Sequence, residues 1–266
     1  MDWSRCSAIV SGGAGGLGGA TSRRLAEMGA RVVIFEPDLQ RAITFADEIG
    51  ERAIGIAGDH NNDADVARAI ATARELGHFA INVNAAGVSI PTPPVADGQG
   101  VPHDMGVFRE MIDLHLSGPF NMTRLCAAAF AANAPDEDGQ RGVVVNTSST
   151  AAQDGQARQV AYAGAKAAIA AMALAMARDL APIGVRVNAI APGPIWTPRL
   201  AGATDALKAE LVANVAFPKR FGQPEEYATL VEMILRTPFL NGQTIRLDGA
   251  MSTPLTVMSP PTRSGA

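Results

Sequence analysis

The chain has little of what marks several protein classes. Its 266 residues contain two cysteines, Cys6 and Cys126, which rules out a disulfide framework, and they lack metal-ligand spacing. Both are expected as buried thiols in a reducing compartment, the cytoplasm. Lys/Arg-rich runs are absent and the net charge is -4, so a nucleic-acid surface is excluded as the main business of the protein. Small molecules are the expected partners. Long Leu/Ile runs are missing too: "AYAGAKAAIAAMALAMARDLAPIG" is alanine-rich and interrupted by Lys166, Arg178 and Asp179. That composition reads as a buried helix and not as a membrane span. "MDWSRCSAIV" reaches a strand-like run at once, so no targeting peptide is expected ahead of the fold.

What is present is apolar material in alternation. With 47% hydrophobic and 18% charged residues, the chain can bury one large α/β core or two modest ones. Short β-branched runs ("SAIV", "RVVIF", "RAIGIA", "FAINVN", "GVVVNTS", "VRVNAIAP", "QTIRLDG") alternate with helical patterns. The helices are expected near 16–28, 39–49, 64–77, 108–132, 160–180 and 225–235. Such alternation predicts βαβ units and a seven-stranded parallel sheet. No internal repeat or linker divides it, so residues 1–266 form one expected domain. Two Pro/Gly-rich segments break the rhythm: "SIPTPPVADGQGVPHD" at 89–104, and "PGPIWTPRLAGAT" after the sixth strand. Both follow strand carboxyl ends, where open α/β sheets bind ligands, so both are expected substrate-site walls. The aperiodic tail, 251–266, is either disordered or laid on a neighbouring subunit.

Between the first strand and first helix lies "SGGAGGLGGA". Glycines there let backbone amides approach a pyrophosphate, whose charge the helix N-terminus favours. The run fits G-x-G-x-x-G (Gly13, Gly15, Gly18) and equally S-G-x-x-x-G-x-G (Ser11, Gly12, Gly16, Gly18), and by itself it is weak evidence because glycine-rich turns also serve structure alone. The second strand ends in Glu36, about 20 residues on, where a carboxylate accepts ribose hydroxyls and repels a 2′-phosphate. With Asp38 near it and no Arg immediately after the strand, NAD is expected over NADP. The alternative is a solvated acid at a strand end.

"NTSSTAAQDGQARQVAYAGAK" carries the chemistry. Tyr162 and Lys166 share one helix face, so the ammonium can favour a phenolate that would otherwise form only near pH 10. Ser149, after the fifth strand, can bring a hydroxyl to the same point. Arg158, one turn earlier, is a candidate for an anionic substrate group against the commoner solvated arginine. Walls near Gln153, Gln156, Trp196 and Phe217 depend on loop conformation.

Taken together, Ser11 to Gly18, "NAAG" at Asn84 to Gly87, Ser149, Tyr162 with Lys166, and "PG" at Pro192 and Gly193 resemble the short-chain dehydrogenase/reductase family. "PDEDGQRGVVVNTSS", "FPKRFGQPEEYATLV" and "PFLNGQTIRLDGA" are similar to its type II 3-hydroxyacyl-CoA dehydrogenases, a branch that also oxidises hydroxysteroids. The resemblance implies a single Rossmann-type doubly wound sheet with helices on both faces, and a homotetramer. It implies an NAD-dependent interconversion of a secondary alcohol and a ketone, on a 3-hydroxyacyl-CoA or hydroxysteroid-like substrate. Tyr162 would be the acid/base, Ser149 would hold the substrate oxygen, and Lys166 would bind the nicotinamide ribose. Cofactor contacts would fall to Gly15, Leu17, Glu36, Asp59, His60, Ala85, Ala86, Ile195 and Thr197, with the motif residues just named.

Two departures stand out. His115, in "LHLSGPF", occupies the slot where the family keeps an asparagine that holds a relay water beside the lysine. The segment at 89–104 has no Lys or Arg, whereas the resembling branch carries lysine there, which puts a CoA phosphate in doubt. Two other readings stand beside the leading one: a dehydrogenase of another hydrophobic alcohol, and a dinucleotide-binding sensor or scaffold with impaired turnover.

Overall fold

A computed structural model describes residues 2–87 and 91–252. The strands are β1 (Cys6–Ser11), β2 (Arg31–Glu36), β3 (Ala53–Ala57), β4 (His78–Asn84), β5 (Gly142–Thr147), β6 (Val185–Pro192) and β7 (Thr244–Leu247). They form one sheet in the order β3-β2-β1-β4-β5-β6-β7, and every neighbouring pair is parallel. The order reverses between β1 and β4, and that switch point opens a crevice at the strand carboxyl ends.

Strand periodicity divides the core between two faces. Ala8, Val10, Val32, Ile34, Val143 and Val145 point to one side, where they meet α1 (Gly16–Glu27), α2 (Leu39–Ile49) and α9 (Pro224–Arg236). Ile9, Val33, Phe35 and Val144 point to the other, against α3 (Asp63–Leu76), α5 (Gly118–Phe130) and α6 (Val160–Leu180). Burial on both faces explains why the strands read as continuous apolar runs. Cys6 and Cys126 are free and buried, and burial pushes the Cys6 thiol up to about 11.

Three expectations need correction. The helix expected at 108–132 begins earlier, as α4 (Met105–Ile112), because the Asp104 carboxylate accepts the Val107 amide at 3.0 Å and caps it. It is then interrupted by a π-helical turn, Asp113–Ser117, before α5. Alternating hydrophobicity cannot reveal one extra residue in a turn, and such turns re-aim side chains at functional sites. The segment after β6 is not simply a loop; it holds α7 (Pro198–Ala201) and α8 (Asp205–Ala213). Residues 95–103 fold on themselves through an Ala96–Pro102 bridge, with the Asp97 carboxylate accepting the Gln99 and Val101 amides at 2.8 Å. Ser89 and Ile90, and the tail beyond Ser252, lie outside the described residues.

Candidate active site

The crevice is a cavity of about 1800 Å³ at the strand carboxyl ends. One end is built by the glycine turn. Gly12 has φ 68°, and a β-carbon there would lie 2.6 Å from the Ala86 Cα, so only glycine lets this turn press on "NAAG". Gly15, at the N-cap of α1, offers no side-chain cap, which leaves first-turn amides available to an anion. Ser11, Gly12, Gly15, Gly16 and Leu17 line the cavity. Gly18 does not; it sits behind, where a β-carbon would be 2.0 Å from the Gly12 carbonyl oxygen. Its absence of side chain serves helix packing.

Glu36 is 4% exposed, and its Oε1 accepts the Ala14 amide at 2.9 Å. Arg41, from the first turn of α2, reaches back to the same corner. Its Nη2 donates to the Ala14 carbonyl at 3.1 Å and stands 3.9 Å from the Glu36 Oε1. The sequence reading missed this arginine because it is adjacent through a helix turn and not along the strand. Asp59 and His60 follow β3 on the same wall. The His60 ring is buried, which lowers its pKa, and it fills the space where a Gly118 β-carbon would lie, 2.2 Å from Cδ2. The Asn121 side chain donates to the His60 carbonyl at 2.9 Å.

Ala85, Ala86, Gly87, Pro192, Gly193, Ile195 and Thr197 continue the lining. Asn84 stands beneath it, in a buried polar network. Its Nδ2 donates to the Asn146 Oδ1 at 2.8 Å and the Asn82 Oδ1 at 3.0 Å. The Asn84 carbonyl accepts the Thr147 hydroxyl at 2.6 Å, and that hydroxyl also pairs with the Tyr227 hydroxyl at 2.7 Å. This network ties β4, β5 and α9 under the site, with the buried Asn146 Nδ2 left without a partner in it. Thr147 and Tyr227 gave no sequence signal, since their partners come from distant segments.

At the centre, Ser149, Tyr162, Lys166 and His115 converge on one cavity. Burial raises the Tyr162 pKa, opposed by a hydrogen bond with the Ser149 side chain. Burial also pulls Lys166 down to about 8. The Lys166 Nζ donates to the Thr147 carbonyl at 2.8 Å and lies 5.8 Å from the Tyr162 ring centroid. In the protein alone, then, the Ser149 hydrogen bond favours the phenolate directly. His115 is fully buried in the π turn, and its ring meets that of Tyr162 edge-on, 4.9 Å between centroids at 88°. The histidine thus abuts the tyrosine itself.

The two expected walls contribute unequally. Of the described residues at 91–104 only Pro91 lines the cavity, whereas Pro194, Leu200, Leu207 and Leu211 bring α7 and α8 over it. Among Gln153, Gln156, Trp196 and Phe217, Gln156 alone lines it. Trp196 packs on Phe221 at 5.6 Å, and Phe217 is 81% exposed. Arg158 stays outside: it adopts φ 66° and its Nε donates to the Thr92 carbonyl at 3.0 Å. α6 is long and apolar enough to cross a membrane by length and composition. Its place here is against the sheet, with Ala165, Ile169 and Ala173 buried and Lys166 in the cavity.

Comparison with known proteins agrees with this geometry. The family model described as short chain dehydrogenase matches residues 7–208. The 3-hydroxyacyl-CoA dehydrogenase type-2 of Drosophila melanogaster is 41% identical over 244 residues, covering 91% of this chain and 96% of that protein. Ipsdienol dehydrogenase of Ips pini is 36% identical over 246 residues, covering 91% and 95%. The crystal structure of 3-hydroxyacyl-CoA dehydrogenase type-2 from Mycobacterium avium superposes with a TM-score of 0.92 at 42% identity, over 94% of this chain and 97% of that one. A family model matched over residues 7–208 and a relative 41% identical over most of the chain show its kinship: the chain is a member of the short-chain dehydrogenase family.

Proposed function

We propose that the protein is an NAD-dependent dehydrogenase that interconverts a secondary alcohol and a ketone. The observation that carries the reading is the convergence of Ser149, Tyr162 and Lys166 in the same cavity as the glycine turn. Tyr162 takes the hydroxyl proton of the alcohol as general base, or returns it to the ketone oxygen as general acid. Ser149 holds the same oxygen through its hydroxyl. Lys166, fixed on the Thr147 carbonyl, binds the ribose next to the reacting ring. The cofactor, when bound, supplies the hydride acceptor and, in its oxidised form, a positive ring that favours the Tyr162 phenolate. Glu36, next to the glycine turn, supports NAD over NADP by offering its free oxygen to ribose hydroxyls.

The substrate is a lipophilic alcohol. Leu200, Leu207, Leu211 and Met251 form an apolar lining, and the acidic residues Glu110, Asp113 and Asp154 line the cavity too. A hydroxyacyl thioester fits the name of the 3-hydroxyacyl-CoA dehydrogenase relatives, a hydroxysteroid fits the apolar lining, and the acid-bearing lining favours the uncharged of the two. Purified protein should reduce NAD with some member of a panel of alkan-2-ols, 3-hydroxyacyl thioesters and hydroxysteroids, followed at the absorbance of the reduced cofactor. NAD binding with no turnover on any member would instead support a sensor. Equal dissociation constants for NAD and NADP would overturn the role given to Glu36.

His115 tunes the proton path at Tyr162. The His115→Asn variant is expected to retain or raise turnover and to shift the pH profile, because an imidazole can exchange a proton and an amide cannot. An unmoved rate and profile would leave His115 as packing alone.

A homotetramer in the cytoplasm completes the proposal. Phe120 on α5 and Leu174 on α6 are 42% and 44% exposed on one side of the sheet, a pair of apolar helices that small residues allow to pack closely against a second copy. Light scattering of the purified chain is expected to give four times the monomer mass. A monomer would refute it.

A further inference from the structure

Beyond the catalytic group, one arginine ties together the wall made by the turn after β7. Arg246 lies on β7, and the chain then turns at 248–251. The Arg246 guanidinium grips that turn, with Nε donating to the Asp248 Oδ2 at 2.8 Å and Nη2 to the Met251 carbonyl at 3.0 Å. It also reaches the segment after Ser149, donating to the Gln153 side chain and standing 3.5 Å from the Asp154 Oδ2. Asp248 in turn packs on Gly193, where a β-carbon would come within 2.7 Å of the Asp248 Cβ. From the other side, the Ala216 and Phe217 amides donate to the Gly249 carbonyl at 3.0 and 3.1 Å. Met251, 7% exposed, ends this turn in the cavity lining.

We infer that Arg246 is a positioning residue for substrate recognition: it locks the 248–251 turn onto the segment after Ser149, so that Met251 closes the cavity's apolar end. A guanidinium suits this role because its planar donors serve several acceptors at fixed angles, which a lysine does not. Met251 then limits the alkyl group that extends from the carbinol carbon, and a thioether side chain fills that space adaptably. The inference rests on the secondary-alcohol reading above.

Its test is a series of alkan-2-ols from propan-2-ol to decan-2-ol at saturating NAD, with NAD affinity measured separately by protein fluorescence. Met251→Ala should move the chain-length optimum to longer alcohols. Arg246→Ala should raise KM for the preferred alcohol about tenfold, as expected for lost charge-assisted hydrogen bonds, and flatten the chain-length profile without moving the NAD dissociation constant. Gln153→Ala, which removes a single link outside the cavity lining, should do the same to a smaller degree and decides the matter, with Met251→Ala, if Arg246→Ala fails to fold. An unchanged optimum in Met251→Ala, or parallel losses of NAD affinity and kcat in Arg246→Ala and Gln153→Ala, would overturn the inference. If the wild type turns over no alkan-2-ol, the inference falls; if it turns over none of the wider panel either, the secondary-alcohol reading falls too.

Discussion

Tyr162→Phe is expected to lower kcat about a thousandfold, the scale of a lost general acid/base, while the dissociation constant for NAD stays unchanged. The substitution removes one oxygen and keeps the ring that packs edge-on against His115, so the fold has little reason to respond. What goes is the group that moves the proton. Ser149 remains to hold the substrate oxygen, but a serine hydroxyl has no comparable acidity to offer. The direction of the Tyr162 shift makes a second, pH-resolved expectation. Burial raises its pKa in the protein alone, which disfavours the phenolate until the bound oxidised cofactor's charge offsets it. Alcohol oxidation needs the phenolate and should accelerate as pH rises; ketone reduction should slow. Steady-state rates in both directions between pH 6 and about pH 10 check it against the ordinary tyrosine value. A Tyr162→Phe enzyme within tenfold of the wild type would remove tyrosine from the chemistry.

The second large effect concerns stability. Arg186 on β6 is 6% exposed, and burial pulls its pKa down to about 10. Its guanidinium donates to the carbonyls of Ile234 at 3.0 Å, Leu235 at 3.2 Å, Thr237 at 3.3 Å and Leu240 at 2.7 Å, and to the Gln140 side chain. These carbonyls close the end of α9, where a cation also meets the negative end of the helix dipole. Arg186→Met strips this donor from the buried Ile234 and Leu235 carbonyls, while Thr237 and Leu240 keep the Leu240 amide and the Asn188 side chain, and the loss costs about 3 kcal/mol. For a domain of this size that lowers Tm by about 10 °C. Arg186→Lys should recover little of it, because a single ammonium cannot span the same acceptors. Thermal melts of the three proteins decide. Since α9 carries Tyr227, which pairs with Thr147 beneath the site, the variant should also lose activity below its melting transition.

Much of the molecule is legible in its sequence. Both strand faces are buried, so each strand appears as an apolar run, and glycine and proline mark the turns between elements. The first strand, glycine turn and second strand lie within one short stretch, so Gly12, Gly15 and Glu36 could be read together. Tyr162 and Lys166 are one helical turn apart and needed only the helix to share a face. Arg41, Thr147, Tyr227 and Arg246 gave no such signal. Each meets partners across a turn or from a remote element, as when Arg246 joins Gln153 across 93 positions.

His115 shows the boundary most clearly. The sequence alone determined that a histidine stands in an apolar helical stretch, between two sheet strands, in a chain with a glycine turn and a Tyr-Lys pair, because those patterns depend on neighbours along the chain. Where its ring goes was decided by tertiary structure. The π turn at Asp113–Ser117 inserts a residue that helical periodicity cannot display, and the missing β-carbon at Gly87, which would lie 2.7 Å from the ring, gives the imidazole its place. Only the packing of α6 on the sheet then brings Tyr162 edge-on to it, since contacts between distant segments are set by which faces bury together and not by any local pattern.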